Sequence, residues 1–122
     1  MIRKKILFIT LLVVSSSAFS QKMPLLTDKE AVISRARKEI DNLMADQQSD
    51  LRKLAKENKI SGEFIFDITV AGRGQVLSVF VVGSEAEDVK KQNLVKDWIK
   101  NLRFNFKMAK KTRYKFQYTF NF

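Results

Sequence analysis

The chain has 122 residues, 45% hydrophobic and 11% aromatic, which suffices for one modest domain with its own core. It contains no Cys and no His, which excludes a disulfide framework, thiolate chemistry, and His-based catalysis or metal binding. Lys and Arg number 23 against 13 Asp and Glu, and the resulting +10 favours anionic partners or surfaces without specifying a fold.

Residues 1–20 read as a secretory signal peptide. Arg3, Lys4 and Lys5 precede an apolar run (ILFITLLVV), and Ala18-Phe19-Ser20 fits a small-x-small cleavage site before Gln21. The run is well short of the roughly 20 residues that a spanning helix needs. The leader holds three basic and no acidic residues, so its removal takes the charge from +10 to +7. The expected compartment is the periplasm, with secretion as second choice. Export argues against reading the Lys, Phe and Tyr near the C-terminus as a nucleic-acid site.

Residues 21–61 form a helical segment. Thr27-Asp28-Lys29-Glu30 reads as a capping box with Thr27 as the cap. Ile33, Ala36, Ile40, Leu43, Met44, Leu51, Leu54 and Ala55 then recur at spacings of three and four, the stripe of an amphipathic helix. Arg35, Lys38, Glu39, Asp50, Lys53 and Lys56 take the opposite face. The stripe weakens at residues 46–50 (DQQSD), so one kinked helix or two helices fit. The segment is expected to cover a sheet or extend from it as a spacer.

Residues 62–122 are expected to form a ββαβ unit. Phe64, Phe66, Ile68 and Val70 alternate with Glu63, Asp67 and Thr69, the period of a half-buried strand, with Ile65 the exception. Gly72 and Gly74 supply positive φ for a tight reversal. A phosphate loop would require a helix after the glycines, and a strand follows instead. Val76, Leu77 and residues 79–82 form an almost unbroken apolar run, expected to be covered on both faces or to change parity at a bulge. The acidic stretch SEAEDVKK (84–91) reads as a solvated loop or an acidic helix N-terminus rather than a calcium loop. Leu94, Val95, Trp98, Ile99 and Leu102 mark a helix over residues 93–102, with Trp98 read as core. After a basic connector with Phe104 and Phe106, Tyr114, Phe116, Tyr118, Phe120 and Phe122 alternate with Arg113, Lys115, Gln117, Thr119 and Asn121. The aromatic face should pack on helices and the polar face should meet water.

This order of strand, glycine turn, strand, helix and aromatic strand resembles the C-terminal domain of TonB-type energy transducers and gliding-motility proteins. The resemblance is carried by Phe64-x-Phe66-x-Ile68-x-Val70, Gly74-x-Val76-x-x-Val79-x-Val81, residues 94–102, Arg103-Phe104 and Tyr118-x-Phe120-x-Phe122. It spans about half of the chain. It implies an α+β fold with a three-stranded antiparallel sheet packed on helix. It also implies a non-catalytic domain that binds an extended peptide of an envelope partner by strand addition. The sequence lacks the family's Pro-rich spacer, having a single Pro, and carries Asn105 where the family commonly has Pro after the Arg-Phe pair. Binding without energy transduction is therefore the expectation.

The expected docking element is the last strand, with Arg113, Lys115, Gln117, Thr119 and Asn121, flanked by Lys110 and Lys111. Its basic residues favour an acidic peptide, although Lys on an edge strand also serves simply to prevent aggregation. A different class of function is a cationic envelope protein holding anionic lipid or polymer through Lys100, Arg103, Lys107, Lys110, Lys111, Arg113 and Lys115. No catalytic residue, cofactor or metal is expected, since no nucleophile–base pair, Ser-x-x-Lys motif or ligand cluster is visible.

Overall fold

The computed structural model describes residues 23–84 and 88–122. The leader expected over residues 1–20, its cleavage point, and Glu85 and Glu87 of the acidic loop lie outside the described residues. The elements run β1 (Leu25–Leu26), α1 (Lys29–Ala45), α2 (Asp50–Glu57), β2 (Glu63–Ala71), β3 (Gln75–Ser84), α3 (Val89–Lys100), β4 (Lys107–Met108) and β5 (Arg113–Asn121). The fold is α+β. The main sheet is antiparallel with order β3-β2-β5, and β1 and β4 form a separate parallel pair.

The helical segment is two helices. Asp28, one residue later than expected, caps α1 by accepting from the Ala31 N–H at 3.0 Å. Thr27 and Asp28 are both good caps, and the carboxylate also meets the positive end of the helix. The break at residues 46–49 is fixed by Ser49. Its hydroxyl donates to the Leu43 carbonyl at 2.8 Å and accepts from the Arg52 N–H at 3.2 Å, so this buried polar group is satisfied in both roles. The expected stripe holds for Ala36, Ile40, Leu51 and Ala55, while Val32, absent from the expected stripe, is fully buried and Ile33 only half so.

One core joins all of these elements. Val32, Ala36 and Ile40 of α1, Leu51 and Ala55 of α2, and Val95 and Ile99 of α3 meet the inward face of β2, Phe64, Phe66, Ile68 and Val70. β5 adds Phe116, Tyr118 and Phe120, and the connector adds Phe104, Phe106 and Met108. The helices therefore cover one face of the sheet. Rings meet edge to face across the strands, with Phe66 and Phe120 centroids 5.7 Å apart and Phe64 and Phe122 5.8 Å apart.

β3 takes the second of its two expected forms, a change of parity at bulges, and not the first, two covered faces. Its register against β2 shifts twice, and the pairing skips Leu77 and Val82, which are the extra residues of two bulges. Only Val79 of the run is fully buried, while Phe80 is 62% exposed and Leu77, Val81 and Val82 are exposed too. The helices cover only one face of the sheet, so the outward Phe80 has no second layer over it.

The connector from α3 to β5 has to pass the turn end of the β2–β3 hairpin, because β5 begins opposite Ala71. It does so in contact with the glycine turn. The Phe104 N–H donates to the Gly74 carbonyl and the Met108 N–H to the Gly72 carbonyl, both at 2.7 Å. Asn105 is clamped by α1: its N–H donates to Glu39 Oε1 at 2.9 Å, and Arg35 Nη2 donates to its carbonyl at 3.1 Å. Arg35 and Glu39 are themselves paired at 2.9 Å. A proline at this position would have no N–H for Glu39.

Gly74 has φ +75°, and a Cβ there would lie 2.3 Å from the Phe104 carbonyl oxygen. Gly72 has φ +57°, but its nearest neighbour would be the flexible Gln75 side chain at 3.4 Å. Gly74→Ala is expected to cost about 2–4 kcal/mol, strain and overpacking together, and Gly72→Ala about 1 kcal/mol. Chemical denaturation midpoints of the two variants will show whether that order holds.

Candidate functional site

The free edge of β5 follows from its ladder. Gly62 and Phe122 donate to each other's carbonyls, at 3.2 and 3.0 Å. The register between β2 and β5 then runs without a shift from Glu63–Asn121 to Ala71–Arg113. In an antiparallel ladder, hydrogen-bonded and non-hydrogen-bonded pairs alternate. Phe120, Tyr118, Phe116 and Tyr114 therefore spend their main-chain groups on β2. Arg113, Lys115, Gln117, Thr119 and Asn121 direct theirs outward. All five are exposed, and among the described residues no strand pairs on that side.

The same alternation sets the side chains. Cross-strand rows on the uncovered face read Phe80–Asp67–Gln117, Ser78–Thr69–Lys115 and Gln75–Ala71–Arg113. Arg113 and Lys115 thus lie at the margin of an open sheet face, near the hairpin turn. Lys110 and Lys111 are not on the edge. They occupy the turn that leads into it, closed by the Thr112 N–H donating to the Ala109 carbonyl, with Lys111 at φ 64°. Of the further cations expected to meet an anionic surface, Lys100 ends α3, Arg103 bridges to Gln75 on the outer side of β3, and Lys107 lies in β4. Lys107 and Lys110 are brought together with Arg73, missed by sequence reasoning, around a cavity of about 400 Å³. The seven cations are thus dispersed over α3, the connector, β4, the turn and β5.

The opposite edge, on β3, differs in every respect. Its first residue is already bridged to Arg103, its ladder is broken by two bulges, and it carries no charged side chain. Trp98 is half-buried against the core and walls a groove between α2 and α3, which agrees with its reading as a packing residue. No helix among the described residues is long and apolar enough to cross a membrane.

β5 is fixed from its inward side by α1. The Tyr118 hydroxyl donates to Asp41 Oδ1, and the Arg37 guanidinium lies 5.7 Å from the centre of the Phe116 ring. Burial, and next the bond to the Asp41 carboxylate, hold the Tyr118 phenol well above its ordinary value of 10.0, with Arg37 opposing. The strand that carries the free edge is therefore tied to α1 from its inward side. Comparison of the chain with protein-family models, with curated proteins and with solved structures returned no match.

Tyr118→Phe removes this bond and leaves an exposed carboxylate, so the expected loss is about 1 kcal/mol at neutral pH. The folded phenol stays protonated where the unfolded one ionises, so its contribution is complete below pH 10 and declines as pH rises beyond it. The stability gap between wild type and Tyr118→Phe, measured by denaturant titration at several pH values, should therefore narrow above about pH 10.

Proposed function

We propose that this chain is an exported, non-catalytic interaction domain of the cell envelope that receives an acidic, extended peptide segment of a protein partner as an added strand on β5. The single observation that carries the reading is the outward row of main-chain groups on Arg113, Lys115, Gln117, Thr119 and Asn121. An incoming strand satisfies those groups, and the side chains of Arg113 and Lys115 attract carboxylates beside it. The resemblance to TonB-type C-terminal domains adds the same mode of binding, in the periplasm.

Magnitudes limit the affinity. A backbone hydrogen bond contributes about 0.5–1.5 kcal/mol net, whereas association costs about 4–15 kcal/mol. A handful of ladder bonds is not enough without side-chain contacts, to which the charges of Arg113 and Lys115 add at low salt. The reading is therefore of a weak or transient complex, one whose ladder component survives salt while the contribution of Arg113 and Lys115 is screened. An anionic-surface function would lose nearly all binding in salt.

Gln117→Pro removes one outward N–H and leaves the ladder to β2 intact. In capture from envelope extract at about 0.5 M salt, where the Debye length is only about 4 Å, wild type and Phe80→Lys should retain a common partner that Gln117→Pro loses. Circular dichroism confirms that each bait is folded. Retention by Gln117→Pro, or loss with Phe80→Lys alone, would move the docking away from β5.

A further inference from the structure

Independently of the strand edge, a cavity of about 390 Å³ opens where the C-terminal end of α2 meets the last residue after β5. Arg52, Lys56 and Lys59 line it, together with the polar side chains of Gln47 and Ser61. Its apolar wall is formed by Ile60, nearly buried, and Phe122, which packs on the core. Among the described residues the only salt bridge is Arg35–Glu39, and none of these five polar side chains has an internal hydrogen-bond partner.

Stability accounts for Lys56, in the last turn of α2 where the helix dipole favours a cation, but not for Arg52 or Lys59. Arg52 is in the first turn of α2, where the helix dipole opposes a cation. Arg52 and Lys56 are four residues apart on one helix, so the two like charges repel. Lys59 has φ 54°, the left-handed region that favours glycine. It is the residue after the cap in a Schellman turn: the Ile60 N–H donates to the Ala55 carbonyl at 2.8 Å, and its own N–H to the Lys56 carbonyl at 3.3 Å. Glycine is the usual occupant of that position. Lys91 of α3 donates from Nζ to the Lys59 carbonyl at 3.1 Å, which fixes the turn and brings a further cation to its back. Among the described residues, three cations without a salt-bridge partner thus line a concavity of ligand size, with an apolar wall beside them.

We propose that this cavity binds an anionic amphiphile. Arg52, Lys56 and Lys59 hold a phosphate or carboxylate head, with Gln47 and Ser61 as additional donors, and Ile60 and Phe122 receive the first carbons of an acyl or aryl group. Phosphate is matched by the planar Arg fork and by the two ammonium groups.

The test is isothermal titration of the purified protein with dodecyl phosphate below its micellar concentration, with inorganic phosphate and with dodecyl maltoside. Dodecyl phosphate should bind saturably at one site. Inorganic phosphate should bind at least about tenfold more weakly, because about two buried methylenes are worth that much, and the neutral maltoside should give no saturable heat. The double variant Arg52→Gln, Lys56→Gln should weaken dodecyl phosphate binding by about tenfold or more, since hydrogen bonds to charged groups are the strong ones. Lys59→Gly separates binding from structure: it should raise Tm by about 4 °C while weakening binding. Absence of saturable binding, equal binding of the maltoside, equal affinity for inorganic phosphate, or unchanged affinity in the double variant would each overturn the proposal.

Discussion

The arrangement of the last third of the molecule depends on a close backbone contact. Residues 103–108 lie so near the glycine turn that no side chain fits at Gly74, and two main-chain bonds of 2.7 Å hold them there. The chain has to leave the β3 side of the sheet, return along α3, and reach the far side of β2. That is a split crossover, and it requires the connector to pass the hairpin tip. The connector's own buried rings, Phe104 and Phe106, stack with centroids 5.6 Å apart and anchor it from the core side. Without that passage β5 has no route to β2, and the sheet remains a lone hairpin of marginal stability.

Once β5 is placed, its chemistry divides in two. The inward residues carry aromatic rings and complete the core, while the outward residues are polar and present their main-chain groups to solvent. Helices cover only one face, so the sheet offers both an open face and a free rim. The two rims are unlike: β3 is uncharged, bulged and apolar, whereas β5 is straight in register and basic at its start. A bulged edge resists addition of a further strand, and an unbroken one accepts it. The proposed division of labour rests on that contrast.

Period-two alternation made β2 and β5 legible, because each has one buried and one open face and so writes its orientation in every second residue. β3 was legible as a strand, with a parity shift at a bulge as one of its two expected forms, but its exposure was not. Leu77 and Val82 shift its parity, and apolar residues on an edge look the same in sequence as apolar residues in a core. The α1 cap was displaced by one residue because Thr27 and Asp28 are both competent. The β1–β4 pair left no trace, being two residues on each side and joined through the backbone. The rim of β5 was legible as five polar residues; that their main-chain groups point outward required the Gly62–Phe122 pair. The cavity around Arg52, Lys56 and Lys59 was hidden for a simpler reason. In sequence those residues are the solvated face of a helix and a turn, and only the approach of Phe122 makes them the wall of a cavity.

Amide hydrogen exchange, resolved residue by residue, tests the central arrangement most directly. The N–H groups of Phe116, Tyr118 and Phe120 should be strongly protected and those of Lys115, Gln117 and Thr119 should exchange fast, in strict alternation along one strand. Equal protection of both sets would mean that the β5 edge is already covered, and equal lack of protection would mean that β5 does not complete the sheet.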